Sequence, residues 1–390
     1  DGKITIPKSP ILLSGLVFIL VLLASAFFSS GSQVSFFGTI FDVSSFYFMF
    51  TAFLLMFVSS VMIKNHKNAQ ALLFGVVLST TVVMMFQILR FFFPTELALG
   101  ILGDKMDNLV GSWNSLGLVA GLSCLSSLFI IEFFPISRLA KYIFGFLILI
   151  ALFVIVAVSN VLIWEMLGLF ALMIFVYKIS FFSQDKTNEV KIHFPAFSFV
   201  IVMVSLLFFM SVVFISGFLP NKLGLSNVEV SPSFTATMSV TKGALKADPF
   251  LGIGPDRFGE IWSAYKPMAL NGSIFWDTYF TMGSGLIPTF IATTGYLGIL
   301  SLFIFFVLFI LAGFRSMFVG VRSNMHREIL AFFILALYLF IASFFYAVGP
   351  VIILLAFIFT GVFIGLFSNR EKGEIEIVFL NDHRKSFFFI

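Results

Sequence analysis

Apolar residues fall in ten long runs along this chain, divided by short polar breaks and by one long polar segment. The runs lie near 10–29, 45–63, 69–90, 115–134, 142–158, 161–177, 196–218, 284–313, 329–347 and 349–367. Each approaches the length a helix needs to cross roughly 30 Å of hydrocarbon. Backbone that faces lipid must satisfy its own hydrogen bonds, so the pattern predicts ten helices. The fifth and sixth are separated only by Val158-Ser159-Asn160, a tight turn. The eighth contains Pro288 and Thr293-Thr294-Gly295. It is expected to start as a tilted or re-entrant segment and to become a regular helix after Gly295.

The expected fold is an all-α membrane bundle of about ten transmembrane helices, with one large extracytoplasmic loop that contains short helices. Its parts are a seven-helix section (1–218), the loop (219–283), a three-helix section (284–367) and a cytoplasmic tail (368–390). The tail ends in Ser386-Phe-Phe-Phe-Ile390, which reads as the opening of another apolar run. Further helix or a domain is expected to follow it. Glu374 to Leu380 begins with strand-like alternation.

Composition fixes the solvent. Hydrophobic residues make up 60% of the chain and charged ones 11%, against about 25% charged in a soluble domain. The bilayer must therefore cover most of the apolar surface. The 58 Phe residues read as lipid-facing bulk. Lys and Arg set the orientation. With the N-terminus inside, 16 of the 23 fall on the cytoplasmic side, and the outside loops 30–44, 158–160 and 347–349 carry none. This places 219–283 outside, in a multi-pass protein of a bacterial-type cytoplasmic membrane. The net charge of +4 follows from the same rule and implies no nucleic-acid partner. The lone Cys124 permits no internal disulfide, so the loop must be held by packing. The four His residues all fall on the cytoplasmic side and do not cluster, so no metal or other cofactor is expected.

Candidate chemistry concentrates in the loop. Asp248 to Phe258 reads Asp-Pro-Phe-Leu-Gly-Ile-Gly-Pro-Asp-Arg-Phe. Gly252 and Gly254 permit positive φ and close backbone approach. Such a turn can aim backbone N–H groups at a phosphate, with Arg257 beside it. It can equally be a plain connection between a helix near 233–247 and another near 255–265. Lys242 and Lys246, at i and i+4, share one helix face and can receive a diphosphate or simply be solvated. Lys266 adds a further cation. Trp276 and its aromatic neighbours can form an interfacial belt or stack on sugars. Asp277 is the carboxylate in that belt. Arg90, at the outer end of the third run, can face a functional cavity or reach the interface. Glu165 stands in the same position on the sixth. Gly111-Ser-Trp-Asn-Ser115 can line an outer vestibule or cap the fourth helix.

Ten helices with an outer loop holding Pro249-Phe-Leu-Gly-Ile-Gly-Pro-Asp-Arg-Phe258, followed by Thr294-Gly-Tyr-Leu-Gly298, resemble the O-antigen ligase and O-antigen polymerase superfamily. The topology of most of the chain matches, and about fifty residues match in motif. The resemblance implies a metal-independent membrane glycosyltransferase. Such an enzyme passes a glycan from a polyprenyl-diphosphate carrier to a hydroxyl on a glycan, lipid or protein acceptor. In that setting the binding candidates are Lys242, Lys246, Gly252, Gly254, Arg90, Lys266 and Trp276, and the catalytic candidates are Arg257 and Asp277, standing in for the family residues that this chain lacks. The chain departs from the family at two places. The helix carrying Thr235 to Thr241 lacks the family's Arg, and Ser284-Gly285 stands where the family has His-Asn. Two alternatives stay open. One is a peptidoglycan-type glycan polymerase using Asp256 or Asp277. The other is a non-catalytic scaffold or transporter that keeps the fold.

Overall fold

The computed structural model describes residues 3–39, 42–182, 194–211, 218–225, 230–272, 276–320, 327–371 and 374–378. In chain order the elements are β1 (Lys3–Pro7), α1 (Pro10–Phe28), α2 (Ser32–Phe37), α3 (Phe46–Met62), α4 (His66–Phe92), α5 (Trp113–Phe133), α6 (Arg138–Val158), α7 (Val161–Phe182) and α8 (Ala196–Met210). They continue with α9 (Phe218–Leu223), α10 (Phe234–Ala247), α11 (Phe258–Tyr265), a 3-10 turn (Met268–Gly272), α12 (Leu286–Gly320), α13 (Arg327–Phe345), α14 (Pro350–Glu371) and β2 (Glu374–Val378).

Each of the ten apolar runs holds a helix. Eight are long and apolar enough to cross a membrane, while α3 and α8 are shorter, at 17 and 15 residues. The chain is thus an all-α polytopic membrane bundle. Helix starts follow capping chemistry. Ser9, Ser45, Ser112, Ser137 and Ser233 each accept a hydrogen bond from a backbone N–H in the first turn. The turn between α6 and α7 closes through Ser159 in the left-handed region, at φ 56°. The eighth run breaks at Gly295 (φ 65°, ψ −165°), inside α12.

Helix α5 is the axis of the bundle. Nearly all its residues are buried, among α4, α6, α7 and α13. The first two spans do not pack beside it. Helix α1 lies along α12, and α3 lies along α14. There Gly361 and Gly365 meet the backbone of Met56 and Ser60, the small-residue contact by which membrane helices approach closely. Phenylalanine is not simply lipid-facing bulk. Phe305, Phe309, Phe333, Phe340, Phe357 and Phe363 are buried and pack ring to ring between α12, α13 and α14, for example Phe309 and Phe333 with centroids 5.1 Å apart. In lipid, helix association depends on packing rather than on escape from water, and interlocked rings supply that packing.

Two short strands flank the spans and meet each other. Strands β1 and β2 pair antiparallel, from Lys3 opposite Val378 to Pro7 opposite Glu374. The alternation seen at Glu374 is therefore a strand whose partner is the start of the chain. Lys64 Nζ donates to the Thr5 carbonyl at 2.6 Å, and Asn369 Nδ2 donates to the Lys64 carbonyl at 3.1 Å. Nearby, His66 Nδ1 lies 3.0 Å from Glu328 Oε2. This pairing places β1 and β2 on one face of the bundle.

Candidate functional site

On the opposite face, the loop turn is zipped to the break in α12. The Gly254 N–H donates to the Thr293 carbonyl at 2.9 Å. Tyr296 N–H donates to Pro249 O at 2.9 Å, and Leu297 N–H to Phe250 O at 3.1 Å. Gly252 and Gly254 have φ of 64° and 114°. A Cβ on Gly252 would collide with the Thr293 carbonyl, and one on Gly295 would lie 2.6 Å from the Phe250 oxygen. Backbone meets backbone here, so neither position admits a side chain. The end of α1 closes the third side: Ser25 Oγ donates to Leu251 O at 2.6 Å and Ser29 Oγ to Ile253 O at 2.7 Å. The two segments that carry the family resemblance are therefore one structural unit. The Gly254 N–H, which a phosphate site would need, is engaged by the Thr293 carbonyl.

Arg257 caps α11 at this junction. Its Nη1 donates to Ser29 Oγ at 2.8 Å, Ser30 Oγ at 2.9 Å and Ile253 O at 2.8 Å. Its Nε donates to Glu260 Oε1 at 2.8 Å, and Nη2 to Glu260 Oε2. The guanidinium thus joins α11 to the end of α1 on one edge and holds a carboxylate on the other. Its charge draws the Glu260 carboxyl below the usual range, chiefly through the hydrogen bonds.

Asp256 points elsewhere. It sits at φ 61° and accepts from Ser44 Oγ at 2.7 Å, beside Asp42. Asp42 in turn accepts from the Thr39 N–H at 2.8 Å. Burial, with the neighbouring Asp42, raises the Asp256 pKa to about 7 against the opposing Ser44 hydrogen bond. Among residues outside the membrane spans, this is the group best tuned for proton transfer at neutral pH. Its signal in the sequence was faint, because Asp42 precedes α3 in a short turn far from the loop.

The loop has its own core. Ala236, Val240, Ala244, Phe258, Ile261 and Trp262 pack together and rest on Ala292 of α12. Trp262 Nε1 donates to the Thr278 carbonyl at 3.1 Å. Beside it lies a cleft of about 200 Å³ lined by Val230, Pro232, Ala236, Trp262, Leu270 and Phe280 with two serines. Its lining is apolar apart from the two serines and holds no cation.

The remaining sequence candidates are dispersed. Lys242 and Lys246 are both exposed on α10 and make no ion pair among the described residues. Lys266 Nζ donates to the Trp276 carbonyl, and Trp276 and Asp277 are exposed. Arg90 faces no open site. It is wholly buried and donates to the carbonyls of Leu102, Asp104 and Asp107, holding the α4–α5 connection. Glu165 is exposed on α7. The Gly111–Ser115 segment ties turns together: Asn160 Nδ2 donates to Asn114 Oδ1 at 2.8 Å, and the Gly349 N–H donates to Ser115 Oγ at 3.2 Å.

The two places that depart from the family meet each other. The Ser284 N–H donates to Thr237 Oγ1 at 2.9 Å. A hydroxyl and a backbone amide thus stand together where the resemblance would bring Arg and His. Among the described residues no three His, Cys, Asp or Glu side chains gather as a metal would require. No protein-family model matches the chain, and no curated protein sequence matches it.

Proposed function

We propose that this chain is a membrane glycosyltransferase, a ligase or polymerase, working where the loop meets the bilayer. It takes a glycan from a polyprenyl-diphosphate carrier and passes it to an acceptor hydroxyl. In this reading the loop lies outside a bacterial-type cytoplasmic membrane and both described strands lie inside. One observation carries the reading. The motif segments Pro249–Phe258 and Thr294–Gly298 form one junction at the bundle's edge, and a single turn of it bears Arg257 and the neutral-range carboxylate Asp256.

The chemistry follows from those groups. The acceptor oxygen attacks the anomeric carbon and forms the new C–O bond. The bond from that carbon to the diphosphate oxygen breaks, and both its electrons leave with the carrier. The acceptor proton passes to ionised Asp256. Arg257 balances the charge that grows on the diphosphate.

The test is direct. Protein purified in detergent is expected to co-isolate with a polyprenyl-diphosphate glycan, detected by mass spectrometry, and to transfer that glycan in nanodiscs. Asp256→Asn should retain the lipid and lose transfer by about 10²–10⁴-fold, the usual contribution of a general base. Neither bound carrier nor transfer would overturn the proposal. The environment of Asp256 also favours a second reading, a peptidoglycan-type polymerase built on an essential outer carboxylate. The donor distinguishes them, since that enzyme would accept a peptide-bearing lipid-linked disaccharide. Bound carrier with no transfer to any hydroxyl would instead mark a scaffold, the outcome that the Thr237–Ser284 contact favours.

A further inference from the structure

The two edges of the Arg257 guanidinium do different work. Nη1 is committed to the fold, with three oxygens of α1 and the turn within 2.9 Å. Nε and Nη2 form a fork closed by both oxygens of Glu260. The Arg257 side chain is only 10% exposed, whereas Glu260 is 49% exposed. Glu260 has no other ion pair among the described residues. It can therefore rotate into water with little loss of contact, while Arg257 cannot follow. The vacated fork would present two parallel donors beside a backbone carbonyl and two hydroxyls, at the edge of the bundle. A largely buried guanidinium without a counter-ion is costly, so the fork must be refilled by an anion with two coplanar oxygens.

We infer that Glu260 is a built-in stand-in for a phosphate-type anion, and that this anion binds by displacing Glu260 from the Arg257 fork. The inference rests on the proposed carrier chemistry for its choice of ligand, a diphosphate on a lipid. It adds a resting state in which the chain's own carboxylate blocks the site. Exchange of one anion for another at a planar fork preserves both hydrogen bonds. Affinity for the incoming group is reduced by the fraction of molecules in which the fork is closed.

The probe is inorganic pyrophosphate, titrated against the full chain in phosphatidylcholine nanodiscs. Glu260→Gln removes the competing charge at a half-exposed position and leaves Arg257 in place. It should tighten pyrophosphate binding about tenfold or more relative to wild type. The gain should persist when Lys242 and Lys246 are both changed to Gln. Equal affinity in wild type and Glu260→Gln would overturn the inference, as would a gain that vanishes with the two lysines. Nanodiscs containing phosphatidylglycerol separate the possible sources of phosphate. If that lipid abolishes the gain by occupying the fork, displacement stands and the ligand is a bulk headgroup. Failure of the glycosyltransferase reading would look different: pyrophosphate would bind more tightly to Glu260→Gln, yet no glycan would be transferred by any variant.

Discussion

Asp256 is a carboxylate whose proton affinity has been shifted into the physiological range by where it is held. The folded state keeps its proton up to about pH 7, while the unfolded chain releases it near the ordinary carboxyl value of 3.8. Between those values the native state binds more protons than the unfolded one, so stability falls as pH rises. The contribution is fully present below the unfolded value and is lost as pH passes the folded one. Asp256→Asn should flatten this dependence, seen as a melting temperature of the detergent-solubilised protein that no longer declines from pH 4 to 7. Transfer activity needs the ionised form and should rise through about pH 7 in wild type. At this scale the sequence was only partly legible. Arg257 stood out as a cation in a glycine-rich turn, but its partners Ser29 and Ser30 lie 228 and 227 residues away and carry no local mark. Asp42 was missed for the same reason. Arg90 was singled out correctly as unusual, yet its three carbonyl partners make it a strut rather than a ligand group.

Among the elements, the short helices α10 and α11 were readable because Ser233 caps one and Pro255 to Tyr265 outlines the other. The break at Gly295 was readable because a β-branched pair and a glycine interrupt an otherwise uniform apolar run. That the turn and the break are mates was not, since periodicity encodes a face and not its partner. The contact makes two separable predictions. Gly252→Ala must hold a left-handed φ, at about 1–2 kcal/mol, and also strikes the Thr293 carbonyl, which cannot move without disturbing α12. It should detach the turn from the break, read as faster hydrogen exchange at the Gly254, Tyr296 and Leu297 amides. Trp262→Ala empties the loop's own core and should cost about 3–5 kcal/mol. Its effect should be local, exposing residues 230–284 to limited proteolysis while the spans stay protected. Equal loosening of α5 would contradict a separate loop core.

For the molecule as a whole, the ten runs were enough to place the apolar helices: each run holds one, and eight among the described residues are long enough to cross a membrane. The lateral order was hidden, because helices alike in hydropathy differ only in where glycine, serine and ring surfaces fall. The structure interleaves the ends, with α1 on α12 and α3 on α14. Phe-rich packing among α12, α13 and α14 then serves as a second interior beside α5. Such a bundle cannot be completed in order of synthesis. The strand Lys3–Pro7 precedes the described spans and its mate Glu374–Val378 follows them, so the two can pair only after those spans have been made. Their pairing is thus a clasp closed after the spans between them. A donor dye at Thr5 and an acceptor at Glu376, which face each other across the ladder, should stay dark through translation-arrest intermediates that end before Glu376 and light up only once β2 has been made and the spans between the strands are in place, rather than on insertion of any one segment.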